Sequence, residues 1–134
     1  DTEAPTVVSF ALSDNVLEQG ETATVTLQFS EAVSNFNSDD DVTATNGTLS
    51  LMTSPNNIVW TGTFTPNNGI TVPTNVLTLA NTYTDSAGNS GSSATTSNYS
   101  IETEGPTVVS FTLSDSVLKQ GETANVTLTF SEAV

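Results

Sequence analysis

A segment near the start of the chain recurs, almost unchanged, at its end. Residues 2–33 align with residues 103–134 at an offset of 101 positions, and 26 of the 32 aligned residues are identical. Near-identical copies at a fixed period are the signature of tandem units, and a period near 100 residues is the size of a small domain. The sequence therefore predicts one complete module over residues 1–101. Residues 102–134 are predicted to be the truncated start, the first two strands, of a next module of identical type.

Alternation of apolar and polar residues predicts β-strands at the start of each copy. The apolar residues of the segment 22–29 fall on one face, as in a strand with one buried side: Ala23, Val25, Leu27 and Phe29. In the segment 7–12 the predicted buried set is Val8, Phe10 and Leu12. The six differences between the copies avoid this predicted core and lie at positions 4, 11, 15, 18, 24 and 28 of the first copy.

Turn residues separate five further predicted strands, at roughly 41–45, 48–53, 58–65, 75–82 and 95–101. No segment is predicted to be helical. The predicted inward residues of the later strands are Ile58, Trp60, Phe64, Leu77, Leu79, Tyr99 and Ile101, with Trp60 at the centre of the core. Seven short antiparallel strands in about 100 residues indicate an all-β, immunoglobulin-like sandwich, here without the inter-sheet disulfide because the chain has no cysteine.

Charge and composition exclude several classes of function. Fifteen acidic side chains against one basic one, Lys119, give a net charge of −14. This charge disfavours nucleic acid and anionic membranes, which bind through Lys and Arg, and no apolar run is long enough to insert directly into a membrane. Without cysteine or histidine the chain lacks thiol and imidazole nucleophiles and the preferred ligands of soft metals. Hard, oxygen-seeking cations remain.

Catalysis is not expected. A pair of carboxylates flanking a sugar bond is the only acid–base pair that the composition permits, and no pocket is predicted for such a pair. We therefore expect that the protein is not an enzyme. Because the chain begins without a signal peptide, we expect it to be a piece of a longer precursor.

Several motifs give the chain a family resemblance. The linker APT, the segment LSDNVLEQGETATVTLQFSEAV and the later TNGTLS and TYTDSAGNSG together resemble the bacterial Ig-like repeats found in long arrays in giant secreted adhesins and related surface proteins. The resemblance covers essentially the whole chain. It implies an extracellular, cell-surface location, with neighbouring repeats of the same protein, and other copies in an assembly, as partners. Such repeats commonly act as extenders, and calcium often rigidifies their junctions.

Carboxylates are predicted to gather where the chain enters the module. In an immunoglobulin-like module this end carries the BC loop, after the second main strand, and the FG loop, before the last. Calcium takes six to eight oxygen ligands, and Gly88 allows the FG turn to fold back. The predicted calcium ligands at this end come from the linker and both loops: Asp1, Glu3, Glu31, Asp85 and Asn89.

An equivalent set for the following module comprises Glu102, Glu104 and Glu132, and it has no FG loop. The alternative is that these acidic residues are solvated surface charges that keep a β-protein soluble; this applies to Glu3 and Glu104 at least as well as ligation does. The run Asp39–Asp41 could serve a second ion, but a polar loop at the start of a strand is favoured, and the spacing does not fit an EF-hand.

Two functions stay open at this point. The first is a structural extender in a repetitive surface protein. The second is a ligand-binding adhesion module for a glycan, ice or a protein, since loops on this fold often carry recognition. The nine aromatic residues fall mostly on inward positions, which leaves few rings to stack on a sugar and favours the extender.

Overall fold

Twelve strands and one helical turn make up the chain, and a computed structural model describes all 134 residues. The residues divide into two units, Asp1–Glu104 and Gly105–Val134. The elements of the first unit are β1 (Val7–Leu12), β2 (Val16–Glu18), β3 (Ala23–Phe29), α1 (Ser38–Asp41), β4 (Val42–Thr43), β5 (Gly47–Leu49), β6 (Val59–Pro66), β7 (Thr71–Asn75), β8 (Thr78–Leu79), β9 (Ala94–Thr95) and β10 (Tyr99–Glu102). Those of the second are β11 (Val108–Leu113) and β12 (Val126–Phe130).

The first sheet is organised around β3, where apolar and polar residues alternate most regularly. β3 pairs antiparallel with β1 on one side and with β6 on the other, and β5 pairs with β6, so the order is β1-β3-β6-β5. Leu27 of β3 lies opposite Phe10 of β1 and Trp60 of β6. The side chains at positions 23, 25, 27 and 29 are all buried, which confirms the predicted inward face of this strand.

The second sheet is interrupted in the middle. β10 pairs with β7 and, in parallel, with β2, while β8 pairs with β4 and β9. Between these segments the Thr96 N–H donates to the Leu77 carbonyl, and the Leu77 N–H donates to the Thr96 hydroxyl, both at 3.0 Å. β7–β8 and β9–β10 therefore form one irregular hairpin, in which a hydroxyl replaces a backbone carbonyl as acceptor.

An aromatic core lies between the two sheets. Phe64 of β6 meets Tyr99 of β10 edge to face, with ring centroids 5.1 Å apart, and neither side chain is exposed. Phe29 contacts Tyr83 with the two rings tilted by 48° and their centroids 4.8 Å apart. The inward positions predicted for the last strands are confirmed, since these residues are buried: Leu77, Leu79, Tyr99 and Ile101.

Trp60 is not the centre of the core, contrary to the prediction. Its side chain is only partly buried and packs against Phe36 at 4.9 Å. The indole N–H has no hydrogen-bond acceptor, and leaving a buried donor unpaired is costly. Phe64, which has no such donor, and Tyr99, whose hydroxyl donates to the Thr45 carbonyl at 3.0 Å, occupy the centre instead.

A β-bulge in β1 corrects a second prediction. The register of β1 against β3 shifts between Val7 and Ser9. The extra residue turns Val8 outward, where it is 60% exposed, and brings Val7 against the core. Val8 was predicted to point inward, and this is wrong, whereas Phe10 and Leu12 are buried as predicted.

The helical turn α1 contradicts the prediction that no segment is helical. Asn37 caps it, because its side-chain oxygen accepts the Asp39 N–H at 3.0 Å. The buried Asp41 carboxylate accepts the Asn37 N–H at 2.8 Å and also accepts a hydrogen bond from the Thr82 hydroxyl. A turn of four residues is too short to produce a helical period in the sequence. Asp41 therefore holds the turn to the segment that follows β8.

The all-β, immunoglobulin-like sandwich is confirmed, but its strands are shorter and more numerous than the seven predicted. β2 pairs in parallel with β10, the last strand of the first unit, and was not predicted. The predicted strand 75–82 is replaced by β7 and β8. The break follows Asn75, whose side-chain amide donates to the carbonyls of Val72 and Tyr99 at 3.0 and 2.9 Å and so occupies acceptors of the ladder.

The second unit is an antiparallel hairpin of β11 and β12. Its register shifts between Val108 and Ser110, so the bulge of β1 is repeated. Val109 is the counterpart of Val8 at the offset of 101 residues, and it lies at the same place in the repeated bulge.

Gly47 offers a test of the core, because a side chain there has no room. A Cβ atom at this position would overlap the Phe64 ring and lie 2.6 Å from the Thr65 carbonyl oxygen. We expect Gly47→Ala to lower the free energy of unfolding by about 1–3 kcal/mol through overpacking. Gly105→Ala is the matched control, since a Cβ there meets nothing within 4 Å. Urea denaturation followed by Trp60 fluorescence measures both, and equal midpoints for the two variants would contradict this core.

Candidate metal centre

Two loops of the first unit are joined next to the start of the chain. The BC loop, residues 30–37, follows β3, and the FG loop, residues 80–93, connects β8 to β9. Val33 and Asp85 form an antiparallel bridge, and the Ser34 N–H donates to the Thr84 carbonyl at 2.7 Å. These backbone contacts fix the FG loop against the end of β3.

The FG loop turns back on itself around Asp85. One oxygen of the Asp85 carboxylate, Oδ1, accepts the N–H groups of Ala87 and Asn89, each at 2.8 Å, and Oδ2 accepts the Asn89 side-chain amide at 2.7 Å. Gly88 has a φ of +88°, a conformation that glycine adopts without strain. The sequence DSAGN therefore forms a turn that is held by its first carboxylate.

These hydrogen bonds keep Asp85 ionised. The Asn89 side-chain amide is the largest cause that lowers the pKa of Asp85 below its ordinary value of 3.8, and the backbone N–H groups of Asn89 and Ala87 act in the same direction. Burial acts in the opposite direction, because the side chain is only 4% exposed, but the hydrogen bonds outweigh it. The turn thus presents a negative charge at the surface of the loop pair.

The structure brings three carboxylates together at this place. One carboxylate oxygen from each of Asp1, Glu31 and Asp85 lies within 4.8 Å of the other two. The entering segment is held beside the end of β3 because the Thr6 N–H donates to the Ser30 hydroxyl at 2.9 Å and the Ser30 N–H donates to the Thr6 carbonyl at 2.8 Å. Linker, BC loop and FG loop thus each supply one acidic side chain.

The chemistry of this donor set fits calcium. All the donors are hard oxygens, and calcium–oxygen distances of 2.3–2.6 Å place opposite ligands up to about 5 Å apart, which accommodates the observed spread. An ionised carboxylate offers about four acceptor positions. Three are filled on Asp85 by N–H groups, which leaves one for a cation.

Two other predicted ligands lie close to this cluster but have different contacts. Asn89 presents its side-chain nitrogen to Asp85 and, at 3.4 Å, to the carbonyl of Asp1, so in this arrangement it orients the carboxylate. The Glu3 N–H donates to the Asp1 carboxylate at 3.0 Å. Direct ligation by Asn89 or Glu3 stays a prediction.

The remaining predicted ligands lie elsewhere. Glu102 and Glu104 converge on Thr71, whose hydroxyl is 2.8 Å from an oxygen of the former and 3.2 Å from an oxygen of the latter. Glu132 belongs to the second unit and is exposed. Their assignment as the equivalent set for a following module stays a prediction.

Two further asparagines shape this end of the module, and the sequence analysis did not identify them. The Asn35 side chain donates to the Thr84 hydroxyl at 3.0 Å, which ties the BC loop to the FG loop a second time. The carbonyl of Asn57, which has a positive φ of 59°, accepts the Val33 N–H at 3.0 Å. Asparagine occurs in several turns of this chain, so residue type alone does not single out these two.

Comparison with known proteins identifies the family. Residues 1–101 match the family model described as the bacterial Ig-like domain. The chain belongs to the bacterial Ig-like domain family. No curated protein and no solved structure gives a significant match.

The family assignment bears on the class and location of the protein. Bacterial Ig-like domains form a non-catalytic fold family and are commonly extracellular or associated with a surface. No helix in this bacterial Ig-like chain has the length and the apolar character needed to cross a membrane. The matched segment includes the linker, the BC loop and the FG loop, so the three converging carboxylates lie within one bacterial Ig-like domain.

Asp85 makes the metal-free domain sensitive to acid. Because the folded pKa lies below the ordinary value of 3.8, the stabilisation is fully present above that value and is lost as the pH falls through the folded pKa. In excess chelator, the wild-type free energy of unfolding should therefore fall more between pH 6 and pH 3 than that of Asp85→Asn. Asp39→Asn changes an exposed carboxylate and should keep the wild-type pH dependence. Parallel curves for wild type and Asp85→Asn would show that the turn does not depend on this charge.

Proposed function

We propose that this domain is a structural extender of a repetitive extracellular surface protein, and that calcium stiffens the end at which the chain enters. The observation that carries the proposal is the convergence of Asp1, Glu31 and Asp85 from three separate segments. Linker and module are then joined by one ion. The proposed adhesin context follows from the family, whose members are commonly associated with a surface.

Electrostatics supports a cation at this place. Three carboxylates whose oxygens lie within 4.8 Å of one another repel one another when they are ionised. The only basic side chain, Lys119, belongs to the other unit. Asp85 is nevertheless kept ionised by its hydrogen bonds. A divalent cation would neutralise most of this charge, and extracellular modules bind calcium at about 0.1–1 mM.

The entering segment would gain most from such an ion. Asp1 is exposed, and one hydrogen bond, 3.4 Å long, runs from the Asn89 side chain in the FG loop to its backbone carbonyl. Glu31 and Asp85, in contrast, lie on loops that several backbone hydrogen bonds fix. A shared cation would therefore restrain the linker against a rigid body, which is what a stiff extender requires.

The aromatic side chains argue against the alternative, a glycan-binding module. Exposed rings commonly provide the stacking surface for apolar faces of a ligand. In the first unit Trp60 packs against the core, and the six other rings are buried: Phe10, Phe29, Phe36, Phe64, Tyr83 and Tyr99. This unit therefore offers no exposed ring, and an extender is the better supported function.

Glu31→Gln separates repulsion from ligation, because the two effects have opposite signs. In excess chelator the substitution removes one of three repelling charges and should raise the melting temperature. In about 10 mM calcium it removes a ligand and should lower the melting temperature relative to wild type, since bound calcium stabilises by mass action. The wild type should melt higher in calcium than in chelator.

Glu132→Gln is the matched control for this experiment. Glu132 is the counterpart of Glu31 at the offset of 101 residues, and this sequence contains no counterpart of Asp85 at the same offset. Its substitution should leave the calcium-dependent shift unchanged. A Glu31→Gln effect of the same sign in calcium and in chelator would contradict the metal centre and, with it, the stiffened junction.

A further inference from the structure

The outer edge of β5 has no strand paired to it. β5 is the last strand of the first sheet, and its only partner is β6. The Ser50 N–H donates to the Thr63 carbonyl at 2.9 Å, so position 50 is bonded to β6 and, two residues earlier, so is position 48. Because bonding alternates along an antiparallel strand, the backbone N–H and C=O groups of Gly47 and Leu49 point away from β6. These groups form no hydrogen bond with another part of the chain.

The stretch 47–49 is also open to solvent. The helical turn α1 meets this segment only further on, where the Met52 N–H donates to the Ser38 hydroxyl at 2.8 Å. Thr48, at the centre of the stretch, is exposed and lies opposite Thr65 of β6. The free backbone groups on either side of Thr48 are therefore accessible to a further strand.

The other strand edges of the first unit each carry a feature that natural sheets use against edge pairing. β1 contains a bulge, and β2 ends in Glu18. β7 contains Pro73, which has no N–H to donate, and β4 and β9 have only two residues each. β5 has no charge, no proline and no bulge in its pairing with β6. It is thus the edge of this unit that is left unprotected.

Charge favours the same edge as a contact between two copies of the chain. Residues 42–84, which include β5 and β6, contain no charged side chain, and all carboxylates of the first unit lie in residues 1–41 and 85–104. With a net charge of −14, two copies repel one another most where carboxylates face each other. A basic partner would be attracted to those acidic regions instead. The uncharged edge of β5 therefore suits a second copy of this chain.

We propose that the outer edge of β5 pairs with the same edge of a second copy, antiparallel and about a two-fold axis. Gly47 of one copy would exchange backbone hydrogen bonds with Leu49 of the other, which fills every free group, and Thr48 would face its own counterpart. The two first sheets would then form one continuous sheet.

This pairing adds a lateral contact to the extender role and uses no carboxylate, so it does not depend on calcium. In the repetitive protein proposed above, each repeat would present such an edge. Weak contacts between two arrays would then add along their length. The kind of partner is accordingly another array of the same protein lying alongside.

Sedimentation equilibrium of the full chain in excess chelator measures the pairing without a metal bridge between carboxylates. We expect a reversible dimer at concentrations up to about 1 mM. Hydrogen exchange followed by NMR should show that the Leu49 amide, which is free in the monomer, exchanges more slowly as the dimer forms. A chain that stays monomeric, or a dimer in which the Leu49 amide exchanges as fast as in the monomer, would overturn the proposal.

Substitutions of Thr48 test the register. Like charges directly opposite each other destabilise a strand pair, and opposite charges stabilise it. Thr48→Glu and Thr48→Lys should therefore each weaken self-association about fivefold, whereas an equimolar mixture of the two variants should associate at least as well as the wild type.

Thr24→Glu and Thr24→Lys are the matched controls. Thr24 is exposed like Thr48, but it lies in the central strand β3, and its substitution changes the net charge by the same amount. Both control variants should associate as the wild type does. Equal effects at the two positions, or no recovery in the mixture of Thr48 variants, would contradict pairing through the β5 edge.

Discussion

The pairing of β3 with β1 and β6 is the constraint on which the rest of the module depends. β3 is flanked on both edges and its inward face is almost completely buried, so it fixes the position of the chain where it leaves the sheet. Glu31 lies two residues beyond its last residue. The same strand end accepts the entering segment through Ser30 and is bridged to the FG loop through Val33. The convergence of three carboxylates is therefore a consequence of how the central strand is packed.

Hydrogen bonding and charge act against each other at this convergence. The N–H groups of the FG turn stabilise the ionised form of Asp85, although the carboxylates of Asp1 and Glu31 lie within 4.8 Å of it. The hydrogen bonds of this loop stabilise a negative charge that lies close to two other carboxylates. Such an arrangement favours a bound cation over an empty site. This balance, rather than the number of acidic residues, supports calcium at the entry end of this domain.

The fold class and the convergence of three acidic residues could be predicted from the sequence, because both depend on regular patterns. Regular alternation predicts β3 because each residue of a strand faces one side, and the loop order of an immunoglobulin-like module places Asp1, Glu31 and Asp85 at one end. The outward turn of Val8 depends on a single extra residue in the register, and the break after Asn75 depends on a side chain that occupies backbone acceptors. The place of Trp60 depends on whether its N–H finds an acceptor. Such effects arise only from three-dimensional contacts, which a pattern of residue types does not contain.

The central claim is that calcium stiffens the junction between consecutive modules. It is tested most directly by small-angle X-ray scattering on a tandem protein in which residues 1–134 are followed by a second copy of residues 34–104, so that the repeated segment is completed. In this tandem protein the second copy of Asp85 supplies the FG-loop aspartate that the predicted set of Glu102, Glu104 and Glu132 lacks. The account predicts a larger maximum dimension and a narrower distance distribution in calcium than in chelator, and loss of that difference in Glu132→Gln. Superimposable profiles in calcium and chelator would contradict it.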